Sequence, residues 1–189
     1  MKNFLKIADN LDVLPLLHVV QRRADLWNRR KWRTTYLGTP HAQVSDIWLR
    51  YSDERATSDA QNTVSVTNDI RPVWYPEWCE LGAWARPLVF GLMARVQAYE
   101  LGRVLITKLP PGGRILPHSD AVGAYTDQED GARYHIVLQG LPGSLYRAGD
   151  ETVNMRTGEC WWFNHLAEHE IVNNSADDRV HLLVDTRNA

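Results

Sequence analysis

His118 and Asp120 stand two residues apart in "GGRILPHSD", after a Pro-Pro-Gly-Gly turn and a short apolar run. Along a strand, residues i and i+2 project to the same side. If this run ends a strand, the imidazole and the carboxylate point together, as two ligands of one metal do. His-x-Asp is common by chance, and a solvated turn pair is the plain alternative, so a third ligand has to come from elsewhere. Downstream lie His135, His165, His169 and His181. His169 begins the apolar run of "EHEIVNN", where a strand holds it more rigidly than the connecting "NHLAE" holds His165, and it is the expected third ligand. Two histidines and one carboxylate on one face of an octahedron leave three positions open, the layout of non-haem Fe(II) centres. Zinc is the rival metal, but closed structural zinc sites usually take four protein ligands.

Arg179 heads "RVHLLVD", ten residues after His169, on a segment that is otherwise apolar. A buried guanidinium needs a partner, and its planar fork suits a carboxylate held at two points. In "ARYHIVLQ", Arg133 and His135 are also two apart and share a face. A metal among several cationic donors suits a small dicarboxylate. The plain alternative for Arg179 is a surface position beside Asp177 and Asp178. Arg50, in "WLRY", is a candidate for a substrate carboxylate. Trp74, Tyr75 and Trp78 either wall a substrate mouth or pin the N-terminal half to the rest.

The elements that must position these residues fall into two halves. Spacing predicts a helix over 12–31, with Asp12 as N-cap, Pro15 in the first turn, and Val13, Leu16, Leu17, Val20, Ala24 and Trp27 near one face. A second helix is predicted over 85–100. Between them, "DIWLRY" (46–51) and "VSVTND" (64–69) read as strands, with a polar loop at 52–63. From residue 103 onward, eight short segments rich in Val, Ile, Leu and aromatics are separated by Gly, Pro, Asn or Asp. That pattern predicts an antiparallel sandwich or barrel. The expected layout is a single domain, 1–189, with a helical and irregular part (1–100) packed on a β core (101–187).

At 189 residues and 44% apolar, the chain can bury one real core. A net charge of −2 gives no global basic field for nucleic acid. The basic cluster Arg22, Arg23, Arg29, Arg30, Lys31 and Arg33 is expected to complement the dipole at the end of the first helix. Cys79 and Cys160 form no metal or redox motif and suit free thiols in a reducing compartment. Without a signal-peptide pattern or a membrane-length apolar run, the expectation is a cytoplasmic protein with no membrane partner.

The ordered set "LPPGGRILPHSD", "RYHIVLQG", "GECWWFNHLAEHEIVNNS" and "RVHLLVD" resembles the aspartyl/asparaginyl β-hydroxylase family of Fe(II)/2-oxoglutarate oxygenases, over about residues 100–187. The resemblance implies a double-stranded β-helix, a jelly roll related to the cupins. It implies His118 and His169 as iron ligands, with Asp120 completing a three-ligand form that the family's membrane-anchored members lack. It further implies that Arg179 clamps the distal carboxylate of the cosubstrate 2-oxoglutarate, assisted by Arg133 and His135, and that O2 is the oxidant. The implied reaction hydroxylates an aliphatic carbon of an amino acid, or of an Asp/Asn-type side chain in a peptide or protein. Because the family also includes small soluble hydroxylases of free amino acids such as proline, the resemblance does not name the substrate. Lacking the anchor and long N-terminal region of the secretory members, the chain is not expected to act on an EGF-like protein. The competing reading is a non-catalytic cupin-like module that binds a small carboxylic acid. A metal-dependent isomerase or hydrolase on the same scaffold is the third, recognisable by activity without O2.

Overall fold

Alternation along the strands decides the architecture. A computed structural model describes residues 2–53, 72–120 and 131–189. Strand β1 (Phe4–Ala8) is followed by helix α1 (Leu14–Arg22), the one-turn helix α2 (Trp32–Thr35), strands β2 (Ser45–Ser52) and β3 (Pro72–Trp74), and helix α3 (Pro76–Arg95). The remaining strands are β4 (Ala98–Leu109), β5 (Arg114–His118), β6 (Gly131–Gln139), β7 (Ser144–Ala148), β8 (Glu151–Val153), β9 (Cys160–Phe163), β10 (His169–Asn173) and β11 (Arg179–Asn188). Each of the eight C-terminal segments read from the sequence falls on one of them. They form a seven-stranded sheet in the order β1-β9-β6-β11-β4-β2-β3 and a four-stranded sheet in the order β5-β10-β7-β8, with antiparallel pairing. This is the expected jelly-roll, double-stranded β-helix class.

On β6 and β11 the two faces do different work. Tyr134, Ile136 and Leu138, with Val180, Leu182 and Val184, join Leu16, Leu17, Val20, Leu81, Ala85 and Val89 of the two long helices in one buried cluster. The intervening residues point the other way, toward the second sheet. There Val137 meets Leu109, Ile115, Tyr146, Phe163 and Ile171 in a second cluster. Arg133, His135, Arg179, His181 and Asp185 share that inner face, so the period-2 pattern sets the charged residues inside the barrel and the aliphatic ones under the helices.

The N-terminal part differs from its expected form. It supplies three strands of the large sheet, β1, β2 and β3, as well as the helices. The first helix ends at Arg22, nine residues early, where Arg23 leaves helical geometry at φ −110° and ψ 67°. Val13, not Asp12, occupies its N-cap. The basic run that follows goes to ion pairs rather than to the helix dipole. Arg23 and Arg29 hold Asp25 and Glu80, Arg30 holds Glu77, and Arg33 holds Asp46. The second helix spans 76–95 rather than 85–100. Pro76 starts it, since proline's fixed φ suits a first turn and its missing N–H has no intrahelical role there. Gln97, at φ 54°, turns the chain out of the helix, and residues from 98 onward enter β4. The expected strand 64–69, and the loop 52–63 from residue 54 on, lie outside the described residues. Among the described residues, no helix is long and apolar enough to cross a membrane.

The Pro-Pro-Gly-Gly turn aims β5. Gly112 adopts φ 75°, a conformation that side chains disfavour. A Cβ on Gly113 would lie 2.8 Å from the Pro110 carbonyl oxygen. The Gly112 N–H donates to the Asn173 carbonyl at 2.7 Å, and the Asn173 N–H returns a bond to Gly113 at 3.0 Å, which ties the turn to β10.

Candidate functional site

Pairing of β5 with β10 sets His118 directly opposite His169. Their rings lie 4.3 Å apart between centroids. Asp120 follows two residues past His118, its N–H bonded to the His165 carbonyl at 3.0 Å. One donor atom from each of His118, Asp120 and His169 lies within 4.8 Å of the others. His118 Nδ1 is 2.7 Å from the Leu116 carbonyl oxygen, and His169 Nδ1 is 2.9 Å from that of Ala167. A carbonyl only accepts, so both Nδ1 atoms carry the proton, and in each neutral ring Nε2 presents a bare lone pair. Burial keeps the rings neutral by lowering both imidazole pKa values, that of His169 to about 4. Two oriented imidazole nitrogens and a carboxylate oxygen fit a first-row divalent metal such as Fe(II), with the backbone carbonyls as the outer partners that fix each ring.

Arg133, expected to assist the cosubstrate, lines the same pocket and is bonded to two carboxylates. Its Nη1 contacts Asp120, while Nε and Nη2 bond both oxygens of Asp185 at 2.7 and 2.9 Å. The two carboxylates thus engage all three guanidinium nitrogens. Asp185 is the cross-strand partner of Arg133 between β11 and β6, and it is buried. Burial raises the Asp120 carboxyl, but Arg133 and, after it, the neighbouring histidines together outweigh that effect and hold the group well below the usual range. Arg133 therefore orients an ionised Asp120.

Arg179 is 2% exposed. It has no carboxylate partner among the described residues, and burial lowers its guanidinium to about 10. Its Nη2 lies 3.0 Å from His181 Nδ1, and its Cζ sits 5.2 Å from the Tyr146 ring centroid. His135 connects these neighbours, with Nδ1 3.2 Å from His181 Nδ1 and Nε2 3.3 Å from the Tyr146 hydroxyl. Arg179, His135 and the cluster of His118, Asp120 and His169 line one pocket, of about 360 Å³ including its open mouth.

His135 and His181 make stability depend on pH. Burial first, and the nearby Arg179 charge second, push both well below the usual histidine value of 6.5. Below that value the unfolded chain binds protons that the folded chain refuses, so stability falls as pH drops. Each ring contributes up to about 1.4 kcal/mol per pH unit in that window. Urea unfolding of the metal-free protein between pH 7.5 and 5 is expected to show this decline, and a flat profile would refute it.

Arg50 and Trp74 are not brought into the pocket. They face each other across β2 and β3, with the Arg50 Cζ 5.0 Å from the Trp74 ring centroid and its Nε bonded to the Leu101 carbonyl. Four polar pocket residues were not foreseen: Arg33, His41, Thr107 and Tyr146. Strand parity in "SLYRA" was a usable signal for Tyr146, which points inward with Ser144 and Ala148. Arg33 was hidden in a basic run, and His41, 4.9 Å from the His118 ring, lies on irregular chain with no periodicity to read.

The cluster of His118, Asp120 and His169 thus lies within a double-stranded β-helix. The model of the aspartyl/asparaginyl β-hydroxylase family matches residues 84–189, more than half of the sequence, and the chain belongs to that family. L-proline cis-3-hydroxylase 1 of a Streptomyces species is 31% identical over 71 residues, 38% of this chain and 24% of the relative. The chain thus matches about a quarter of that curated protein's length. Among solved structures, a 2OG-Fe(II) oxygenase family oxidoreductase from Burkholderia pseudomallei superposes with a TM-score of 0.58 at 13% identity, covering 98% of this chain and 84% of that one. The epimerase SnoN of nogalamycin biosynthesis, in complex with Fe3+, α-ketoglutarate and nogalamycin RO, gives 0.59 at 14% identity, covering 99% and 79%. At these identities the likeness is one of fold.

Proposed function

We propose that this chain is an Fe(II)- and 2-oxoglutarate-dependent hydroxylase of an aliphatic carbon in an amino acid, free or in a peptide. One observation carries the reading: a buried guanidinium with no carboxylate partner among the described residues shares a pocket with two bare imidazole nitrogens and an ionised carboxylate. A buried cation with only neutral neighbours is costly, and a dicarboxylate that reaches both the metal and Arg179 offsets that cost. Bound iron would activate O2, the oxidant, with 2-oxoglutarate as co-reductant: one oxygen atom would enter succinate as CO2 leaves, and the other would become the hydroxyl of the product. The chain's residues do the rest. His118, Asp120 and His169 hold the metal, Arg133 keeps Asp120 ionised and in place, and Arg179 receives the distal carboxylate.

Arg33 supports a substrate that carries a carboxylate of its own. Its Nε and Nη2 are fixed on Asp46 at 2.8 and 2.9 Å, and its Nη1 has no partner among the described residues. With the proline hydroxylase among its relatives, free amino acids, L-proline first, are the substrates to test.

The test is anaerobic titration of Fe(II) and 2-oxoglutarate into the metal-free protein, followed in the visible region. A weak charge-transfer band that needs both components is expected, followed by O2-dependent succinate formation with an amino-acid substrate. If neither component binds, the reading fails. Binding of both with no turnover across the substrate panel would instead favour the cupin-like binding module.

A further inference from the structure

His181 is a buried histidine that the proposed metal and cosubstrate chemistry leaves unused, and its proton can be located. Arg179 only donates hydrogen bonds, so His181 Nδ1, 3.0 Å from Arg179 Nη2, must be a bare acceptor. His135 Nδ1, 3.2 Å from the same atom, must then carry its proton, and His135 Nε2 accepts from the Tyr146 hydroxyl. The ring closes where the Arg179 guanidinium lies over Tyr146. All four side chains are buried. Strand geometry builds the set, since Arg179 and His181 share the inner face of β11, and His181 lies beside β6, which carries His135.

From this ring we infer that His181 is a positioning residue: its Nδ1 lone pair orients the Arg179 fork toward the pocket, and His135 and Tyr146 fix the ring that presents that lone pair. His181 is uncharged, so it orients the guanidinium without neutralising it. A carboxylate at that place would also orient Arg179, but it would consume the charge that a ligand needs. Two donors also converge on the one lone pair of His181, which leaves the set short of acceptors. An incoming carboxylate supplies them.

The inference rests on the proposed role of Arg179, and the test separates the two. The side-chain oxygen of asparagine occupies nearly the place of a histidine Nδ1, whereas leucine fills similar space without an acceptor. Wild type, H181N, H181L and Arg179→Met are titrated anaerobically with 2-oxoglutarate in the presence of Fe(II), and thermal unfolding and Fe(II) affinity are measured in parallel. H181L is expected to weaken 2-oxoglutarate binding about tenfold, the worth of one hydrogen bond to a charged group, with Fe(II) affinity unchanged. H181N is expected to stay within about twofold of wild type, because it keeps the acceptor. Equal binding by H181L and wild type, or equal loss in H181N and H181L, overturns the positioning role while a defective Arg179→Met leaves the cosubstrate reading standing. If Arg179→Met binds as wild type does, both fall.

Discussion

Replacing His169 with alanine is expected to lower Fe(II) affinity by more than the roughly 10–100-fold that loss of an outer partner of a metal ligand causes, and to abolish O2-dependent turnover. Three protein ligands are available, and removal of one leaves two, with no other histidine or acidic side chain joining the cluster among the described residues. The backbone should survive the change. His169 is paired on both sides, with His118 of β5 and Ala148 of β7. The side chain gives up only one hydrogen bond, to the Ala167 carbonyl. Asp120→Ala should behave alike for iron while keeping the fold, because Arg133 retains its two bonds to Asp185. Calorimetric titration with Fe(II) under argon, alongside thermal unfolding, reads both quantities. An affinity within about threefold of wild type in folded His169→Ala would show that the metal site lies elsewhere.

How far this site was legible from sequence depended on the range of the interaction. Period-2 alternation is local, and it placed Arg133 with His135 and Arg179 with His181 on common faces. It also separates those residues from the aliphatic ones that face the helices. The same parity sets Asp185 on the inner face with Arg179, a signal that was present and unused. Which strands become neighbours is a long-range matter. Nothing within "GGRILPHSD" says that it will pair with "EHEIVNN" and bring His118 opposite His169, since that register depends on the whole sheet. The N-terminal half was harder because its punctuation is ambiguous. Pro76 follows two aromatics, Trp74 and Tyr75, with Trp78 just beyond it, and it reads equally as a loop breaker or a helix start. "FLKIA" is too short to carry a clear period, and its identity as an edge strand comes from pairing with β9. Arg33 stood among five other basic residues, and only the fold separates it from the surface ion pairs of its neighbours.

The Arg179→Met substitution is expected to act in opposite directions on stability and on binding. In the free protein the guanidinium is buried, its neighbours are neutral, and burial lowers its pKa to about 10. Methionine has comparable length and no charge to desolvate. Exchanging a buried charge for a packed apolar side chain commonly stabilises, here by about 1–2 kcal/mol once the bond to His181 is given up. The cosubstrate experiences the reverse. Removing one partner of a buried charge pair costs about 2–5 kcal/mol, a loss of about 30-fold to several thousand-fold in 2-oxoglutarate affinity. Arg179→Lys should lie between them in binding, because it keeps the charge and loses the two-point fork. Thermal unfolding with and without Fe(II) plus 2-oxoglutarate brings out both effects. Wild type starts lower and rises as ligand binds the folded state, whereas Arg179→Met starts higher and does not respond to 2-oxoglutarate. If the variant is less stable than wild type without ligand, Arg179 is a structural residue compensated within the fold, and its assignment to the cosubstrate loses its physical basis. If the variant is more stable and insensitive to 2-oxoglutarate, the strain of an unneutralised buried cation is maintained for ligand binding, at the expense of stability that the fold could otherwise have.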